Sequence, residues 1–333
     1  MTQLPLPFEI ISIAVLLVIL AADLLLVIRR PHVPSLKESG LWVAFYVVLA
    51  LIFAVAMFFV GDAEHAGQFL AGWLTEYSLS IDNLFVFVII MARFAVPPKL
   101  QQEVLMVGIV IALILRGIFI LLGAQLIQNF SWIFYIFGAF LLYTAYRQAF
   151  NKEDEAEESR DSFFIRLVKK RVATTPDYHG AKIRIKVDGK RIFTPMLIVF
   201  LAIGSTDLLF ALDSIPAIFG ITESPFIVFT ANIFALMGLR QLYFLLGGLL
   251  ERLVYLHYGI AFILAFIGVK LVLHAMHDNE LPFINGGKHI EWAPDIDTVT
   301  SLLVIVGAMV IATVASLVKS GKDRAKEPRN IGA

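Results

Sequence analysis

The chain has 333 residues, of which 59% are hydrophobic and 16% charged, and its formal net charge is zero. A soluble domain of this length would carry roughly a quarter charged residues, so the composition indicates a polytopic membrane protein. The neutral balance argues against a nucleic-acid partner. The absence of cysteine excludes disulfides, thiolate metal sites and a cysteine nucleophile.

Nine apolar runs of about 17–25 residues follow one another, and each can cross a hydrocarbon core of about 30 Å. The first run lacks both a positive n-region and a small-residue cleavage site, so we interpret it as a transmembrane helix and not as a cleaved signal peptide. The predicted fold class is an all-α polytopic membrane protein. Its predicted spans cover residues 8–28, 41–60, 68–92, 103–125, 130–147, 194–219, 226–249, 255–276 and 298–318.

Lysine and arginine mark one side of the membrane. If the N-terminus lies outside, the inside segments hold 23 of the 27 Lys and Arg residues, and the outside segments hold one, Lys288. Cytoplasmic loops carry an excess of positive charge, so the count predicts that the N-terminus lies outside and the C-terminus in the cytoplasm. We expect the membrane to be the plasma membrane.

The longest polar segment, residues 148–193, is predicted to lie in the cytoplasm. It contains a basic amphipathic stretch, FFIRLVKKR, that we expect to form a helix on the inner membrane surface. The stretch KIRIKVDGKRIF alternates with period two around Asp188 and Gly189, which predicts a β-hairpin. We interpret the segment as a structured linker, with a regulatory role as the alternative.

Three sequence blocks repeat at a near-constant offset. EYSLSID at 76–82 corresponds to DLLFALD at 207–213, LRGIFILLG at 115–123 to LRQLYFLLG at 239–247, and IFGAFLLYTA at 136–145 to FIGVKLVLHA at 266–275. The third and sixth spans cross in opposite directions, so the predicted repeat is inverted, with three helices in each half. Inverted repeats are typical of transporters with a site at the repeat interface.

The repeat divides the chain into five parts. We expect two N-terminal helices (1–67), a first three-helix repeat (68–147), the linker (148–193), a second repeat (194–276), and an outside loop with the last helix and a basic tail (277–333).

Ionisable residues within the spans are the candidate functional groups, because burying them at membrane depth is costly. The repeated blocks supply carboxylate, amide and hydroxyl oxygens, which suit Mg²⁺, Ca²⁺ or Mn²⁺ better than Zn²⁺ or Cu⁺. Two arginines in matched positions would balance their charge. The predicted ligands are Glu76, Asp82, Asn83, Asp207, Asp213 and Ser214, and the balancing residues are Arg116 and Arg240.

The two acids of each block are six residues apart, which on a straight helix turns them about 240° away from each other. A break in the helix would let them converge, and Pro216 is a candidate cause in the sixth span. We expect Asp82 and Asp213 to approach within about 8 Å near the bilayer midplane, and each arginine to lie beside one of the four acids.

The motifs EYSLSIDNLFVF, TDLLFALDSIPAIFGIT and ANIFALMGLRQLYFLLGGL resemble those of the TerC/Alx family of integral membrane proteins over roughly residues 40–320. The resemblance implies a member of a lysine-exporter-like superfamily and Mn²⁺ efflux, coupled to protons or to the membrane potential. It places the family's acidic motif on the six predicted ligands named above.

Other functions stay open at this point. An intramembrane aspartyl protease would use Asp82 and Asp213 as a dyad, but the surrounding sequence does not match that class, so we expect no enzyme activity. The resemblance also leaves room for a membrane-protein assembly factor or a tellurium-resistance protein without transport. We expect no permanently bound cofactor, with Mn²⁺ as the transported ion and the lipid bilayer as a partner. Mn²⁺ is not separated from Ca²⁺ by the sequence, and neither the direction of transport nor the oligomeric state is predicted.

Overall fold

The structure, a computed structural model, describes residues 4–29, 34–130, 132–150, 175, 177–187, 190–246, 255–277, 279, 281, 284–290, 292–294 and 296–326. Nine long helices account for most of this part of the chain. They are α1 (Leu6–Arg29), α2 (Leu36–Val60), α3 (Ala63–Arg93), α4 (Pro98–Asn129), α5 (Ile133–Phe150), α6 (Pro195–Phe219), α7 (Pro225–Leu246), α8 (Leu256–His277) and α9 (Thr298–Lys326).

The all-α membrane architecture is confirmed. Eight of the helices in the described ranges are long and apolar enough to cross a membrane. The ninth, α5, has 18 residues and carries the polar side chains of Arg147 and Gln148 in its last turn. Each helix matches one predicted span, and the protein is an integral multi-pass membrane protein.

Several helices extend beyond the apolar runs because polar residues cap them outside the hydrocarbon region. Asp62 accepts a hydrogen bond from the His65 amide at 2.9 Å, so α3 starts before the predicted span and the predicted domain boundary at residue 67 falls inside this helix. Ser35 caps α2 in the same way through the Glu38 amide.

Two helices form the centre of the molecule. In the most apolar stretch of α7, 94% of the residues are buried, and in that of α3 69% are buried. The corresponding shares for α1 and α9 are 17% and 22%. Close contacts fix the central pair: a Cβ at Gly72 of α3 would lie 3.6 Å from Ala231 of α7, and a Cβ at Gly238 of α7 would lie 3.4 Å from Tyr77 of α3. Charged groups on α3 and α7 are therefore shielded from lipid.

Helices α5 and α8 cross at a pair of glycines that are equivalent in the sequence repeat. A Cβ at Gly138 would lie 2.8 Å from the Gly268 carbonyl oxygen, and a Cβ at Gly268 would lie 3.0 Å from the Gly138 carbonyl oxygen. A two-fold relation between two units produces such reciprocal contacts, because residue i meets j and j meets i. The contact is compatible with the predicted inverted repeat, which stays a prediction.

The hairpin prediction is confirmed. Strands β1 (Arg184–Val187) and β2 (Lys190–Phe193) pair antiparallel, with Val187 opposite Lys190, and the Arg184 guanidinium lies 4.1 Å from the centre of the Phe193 ring. The Tyr178 hydroxyl donates to the Phe94 carbonyl at 2.6 Å, which ties this segment to the end of α3. The predicted turn residues Asp188 and Gly189, and the amphipathic stretch FFIRLVKKR, lie outside the described residues.

The predicted break in the sixth span is wrong. Helix α6 continues through Pro216 to Phe219, and α3 is continuous from Ala63 to Arg93. Pro216 lies only three residues before the last residue of α6. The missing amide therefore affects one hydrogen bond near the end of the helix and does not break its middle.

Candidate functional site

A buried ion cluster joins α3, α4 and α6 near their middles. The Arg116 guanidinium of α4 is 1% exposed and contacts the Glu76 carboxylate of α3 through Nη1. It also donates to Asp207 of α6, from Nη2 to Oδ1 at 3.0 Å and from Nε to Oδ2 at 3.5 Å. We call these three residues the Arg116 centre. The prediction that Arg116 lies beside one of the four acids is confirmed, and it contacts two.

Small residues allow these helices to approach. A Cβ at Gly108 of α4 would lie 3.1 Å from Ile203 of α6, and a Cβ at Gly204 would lie 3.4 Å from Ile111. Asn83, 2% exposed on α3, completes the cluster: its amide oxygen, oriented for both contacts, accepts from Arg116 Nη2 at 3.2 Å while its nitrogen donates to the Leu79 carbonyl at 3.0 Å.

The Arg116 centre has one excess negative charge when its three groups are ionised. Glu76 is fully buried and Asp207 is 2% exposed, so water cannot screen this charge. Arg116 balances one carboxylate only. The arrangement therefore suits an additional cation, either a metal ion or a proton.

Asp213 lies in a separate environment. Six residues after Asp207 on a continuous helix, it is turned towards α5, where it accepts a hydrogen bond from the Thr144 hydroxyl at 3.0 Å. Ser214 beside it is 1% exposed. The Asp82 side chain lies outside the described part of the structure, so its predicted approach to Asp213 stays a prediction.

Within the described residues, no group of three or more His, Asp or Glu side chains is placed to hold a metal ion. The predicted ligands that the structure brings together are Glu76, Asp207 and Asn83, and they surround Arg116. Asp213 and Ser214 are not part of this cluster.

The prediction that Arg240 contacts one of the four acids is wrong. Arg240 of α7 donates from Nη2 to Asp23 Oδ1 of α1 at 2.8 Å, and the two side chains are 4% and 6% exposed. Tyr46 of α2 lies beside the same carboxylate. Because α1 is outside the repeat, the repeat could not identify Asp23. The available signal was a carboxylate in the first apolar run.

Several other buried polar atoms have no hydrogen-bond partner in the described part of the structure. Such atoms are rare in folded proteins and are often explained by a ligand or by function. Ser39 Oγ of α2 and the Nε and Nη1 atoms of Arg240 are among them. The others lie on α3, α6 and α7, and all but two of these are oxygens. They are Trp73 Nε1, Thr75 Oγ1, Glu76 Oε2, Ser80 Oγ, Ser214 Oγ and both amide atoms of Asn232.

A cavity of about 710 Å³ opens where α3, α7 and α9 begin. The acids that line it have partners within the protein: Glu64 accepts from Gln68 at 3.3 Å, and Glu223 lies 3.5 Å from the His274 ring nitrogen. Asp297 caps α9 through the Thr300 amide at 3.4 Å. At its wall, Thr222 donates to Gln68 at 2.7 Å. Gln68 is eight residues before Glu76 on α3, about 12 Å along the helix axis.

The sequence of this chain is similar to a known family of membrane proteins. Residues 61–324 match the model of the integral membrane protein TerC family. The chain is 45% identical over 309 residues to an uncharacterized membrane protein of Mycobacterium bovis, Mb2742, covering 92% of this chain and 78% of that protein.

Two further relatives extend this similarity. An uncharacterized membrane protein of Myxococcus xanthus, STKORF319, is 39% identical over 310 residues, 92% of this chain and 91% of that protein. The protein of Escherichia coli K12 named putative membrane-bound redox modulator Alx is 40% identical over 269 residues, 78% of this chain and 83% of that protein. No solved structure matches. Because the family match covers residues 61–324 and these relatives are about 40% identical over most of their length, the chain belongs to the TerC family of integral membrane proteins.

Proposed function

We propose that this protein is a divalent-cation transporter, and that it exports Mn²⁺ across the plasma membrane. The observation that carries the proposal is the Arg116 centre, in which two fully or almost fully buried carboxylates share one guanidinium near the middle of three helices. Charged groups at membrane depth usually mark an ion pathway. Here the excess carboxylate provides a reason for a cation to enter.

The donor set supports a hard cation as substrate. Carboxylate, hydroxyl and amide oxygens surround the centre, and the chain offers no thiolate. Mn²⁺, Mg²⁺ and Ca²⁺ prefer such ligands. The absence of cysteine also means that thiol–disulfide exchange is not the basis of activity in this chain, whatever the name of the Alx relatives implies for them.

Arg116 would compete with the substrate. A cation that approaches Glu76 and Asp207 must displace the guanidinium or share a carboxylate with it, because both oxygens of Asp207 accept from Arg116. Protons compete for the same carboxylates, which provides a basis for coupling transport to a proton gradient. We assign no enzymatic reaction to the centre.

The test is metal flux in vesicles that contain only the purified full-length protein. We expect uptake of Mn²⁺ that is lost in Glu76→Gln and Asp207→Asn and retained in Glu9→Gln, which removes a carboxylate from α1 outside the centre. Asp82→Asn and Asp213→Asn test the remaining predicted ligands. A panel of Mg²⁺, Ca²⁺, Mn²⁺ and Zn²⁺ identifies the substrate.

Wild-type vesicles without flux for any of these ions would contradict the transporter proposal. They would favour an assembly factor or a tellurium-resistance protein that does not transport. In that case the Glu76→Gln and Asp207→Asn proteins should still complement a strain that lacks the gene, provided that they accumulate in the membrane.

A further inference from the structure

The two arginines of the repeat are equivalent in sequence but not in their contacts. Arg116 in LRGIFILLG and Arg240 in LRQLYFLLG occupy the same position of the repeated block. Arg116 binds Glu76 and Asp207, one acid from each repeat, whereas Arg240 binds Asp23 of α1, outside the repeat.

Arg240 is also incompletely paired. Its side chain is 4% exposed, and only its Nη2 donates a hydrogen bond, while Nε and Nη1 have no partner within the described residues. A buried charged donor without an acceptor is unfavourable. The unused donors of Arg240 indicate a state in which this side chain has additional acceptors.

The repeat identifies those acceptors. Glu76 and Asp207 are counterparts of each other in the two repeats. Suppose that each repeat adopts the conformation of the other. Glu76 and Asp207 then exchange roles, and Arg240 takes the place of Arg116 beside them. Exchange of this kind is how inverted repeats present one site to opposite sides of a membrane.

The packing of the helices makes this exchange feasible. A Cβ at Gly238, two residues before Arg240, would lie 3.4 Å from the ring of Tyr77, the neighbour of Glu76. This part of α7 therefore packs against the side chain that follows Glu76 on α3. In the predicted topology α4 and α7 run in opposite directions. Each arginine lies past the middle of its described helix, so the predicted topology puts Arg116 towards the outer side of the membrane and Arg240 towards the inner side.

We propose that Arg116 and Arg240 are alternative partners of the Glu76–Asp207 carboxylate pair, and that Asp23 holds Arg240 in the state described here. Asp23 is thereby assigned a role in the conformational cycle. The role in transport rests on the proposed function, but the conformational exchange can be measured without metal.

The first experiment uses the absence of native cysteine. Ser224→Cys places one thiol on the wall of the 710 Å³ cavity, at a half-buried loop position between α6 and α7. The rate of its reaction with a polar maleimide is measured on the full-length protein in detergent, where both sides are accessible. The rate is compared between the Ser224→Cys protein and the same protein with Asp23→Asn or Glu9→Gln.

Asp23→Asn should release Arg240 towards the carboxylate pair and favour the opposite state, in which the cavity closes. We expect labelling to slow by about fivefold, the lower end of typical coupling between conformational states. Glu9→Gln should leave the rate unchanged. A rate in Asp23→Asn that equals the Glu9→Gln control, or exceeds it, overturns the proposal.

The second experiment separates this role from a purely structural ion pair. Exchanging the charges, with Asp23→Arg and Arg240→Asp in one protein, restores the pair with α1 but removes the guanidinium that would reach Glu76 and Asp207. We expect the labelling rate of the wild type and loss of Mn²⁺ flux. Recovery of flux in this double variant overturns the proposal.

The two proposals fail in different ways. If wild-type vesicles show no metal flux but Asp23→Asn slows labelling, the exchange of arginines stands and the substrate assignment is wrong. If flux requires Glu76 and Asp207 but labelling does not respond to Asp23, the transporter stands and the exchange is wrong.

Discussion

The Arg116 centre and the Arg240–Asp23 pair show that arginines at equivalent sequence positions can make different contacts. Both guanidinium groups are buried, yet Arg116 contacts two carboxylates and an amide oxygen, and Arg240 contacts one carboxylate. Arg116 therefore connects the two repeats to each other. Arg240 connects the second repeat to a helix that the repeat does not include.

The two sets of contacts also differ in their position relative to the family match. The family match begins at residue 61, so the Arg116 centre lies within the matched region and Asp23 lies before it. Substitutions at the two arginines measure how different these environments are.

Arg116→Ala should produce the largest effect. It leaves Glu76 and Asp207, which are fully buried and 2% exposed, without a counter-ion. Removing one partner of a buried ion pair destabilises proteins by about 3–5 kcal/mol. Denaturant unfolding of the purified full chain in detergent measures the loss. A loss below about 1 kcal/mol, the range of exposed pairs, would mean that the centre is hydrated or already protonated.

Arg240→Ala should have a smaller effect, at the lower end of that range or about 3 kcal/mol, because it leaves one buried carboxylate, Asp23, without its counter-ion and not two. Lysine substitutions give a second measure of how the two sites differ. Lysine keeps a single charged donor, so Arg240→Lys should recover most of the stability, whereas Arg116→Lys cannot contact Glu76 and Asp207 in the forked geometry of arginine. Equal recovery at both positions would show that the two sites do not differ in the way their contacts imply.

Combining substitutions tests whether the two regions are independent. In Arg116→Ala the carboxylate pair lacks a partner, and adding Asp23→Ala frees Arg240 to replace it. The loss of stability in the double variant should be smaller than the sum of the two single losses by about 1 kcal/mol, which is within the range of coupled residues. Arg116→Ala combined with Glu9→Gln is the matched control and should be additive. Additivity in both pairs would contradict exchange between the centres.

The sequence was most informative where one local rule decides the structure. Runs of apolar residues identified each helix, and the period-two alternation around Asp188 and Gly189 identified the β1–β2 pair. The internal repeat selected Glu76, Arg116 and Asp207, which meet in the structure. These inferences need only the length, the periodicity and the equivalence of segments.

The errors concern neighbours in space. Helical periodicity placed Asp207 and Asp213 about 240° apart, and the structure agrees, since one contacts Arg116 and the other Thr144. The assumed break at Pro216 overrode that geometry. Arg240 was assigned to the repeat acids because charge matching does not reveal that α1 packs beside α7. Rotation about a helix axis can be read from sequence, but the identity of the facing helix depends on tertiary packing.

The smallest effect is expected outside the membrane, where Asp297 caps α9. Hydrogen bonds from the Thr300 hydroxyl and from nearby amides lower the pKa of the Asp297 carboxyl below its usual 3.8. A depressed folded-state pKa contributes stability that is present above the unfolded-state pKa and is lost as the pH falls through the folded-state value. The first turn of α9 should therefore exchange its amide hydrogens faster as the pH falls below 3.8, after correction for the intrinsic rate. Asp297→Asn keeps a capping acceptor but cannot titrate, so it should remove this dependence.

Because Asp297 is exposed, added salt should weaken the charge-dependent part of its effect, whereas the buried Arg116 centre should not respond to salt. A salt response at the Arg116 centre that equals the response at Asp297 would show that water reaches Glu76 and Asp207, and the contrast between buried and exposed charges would fail.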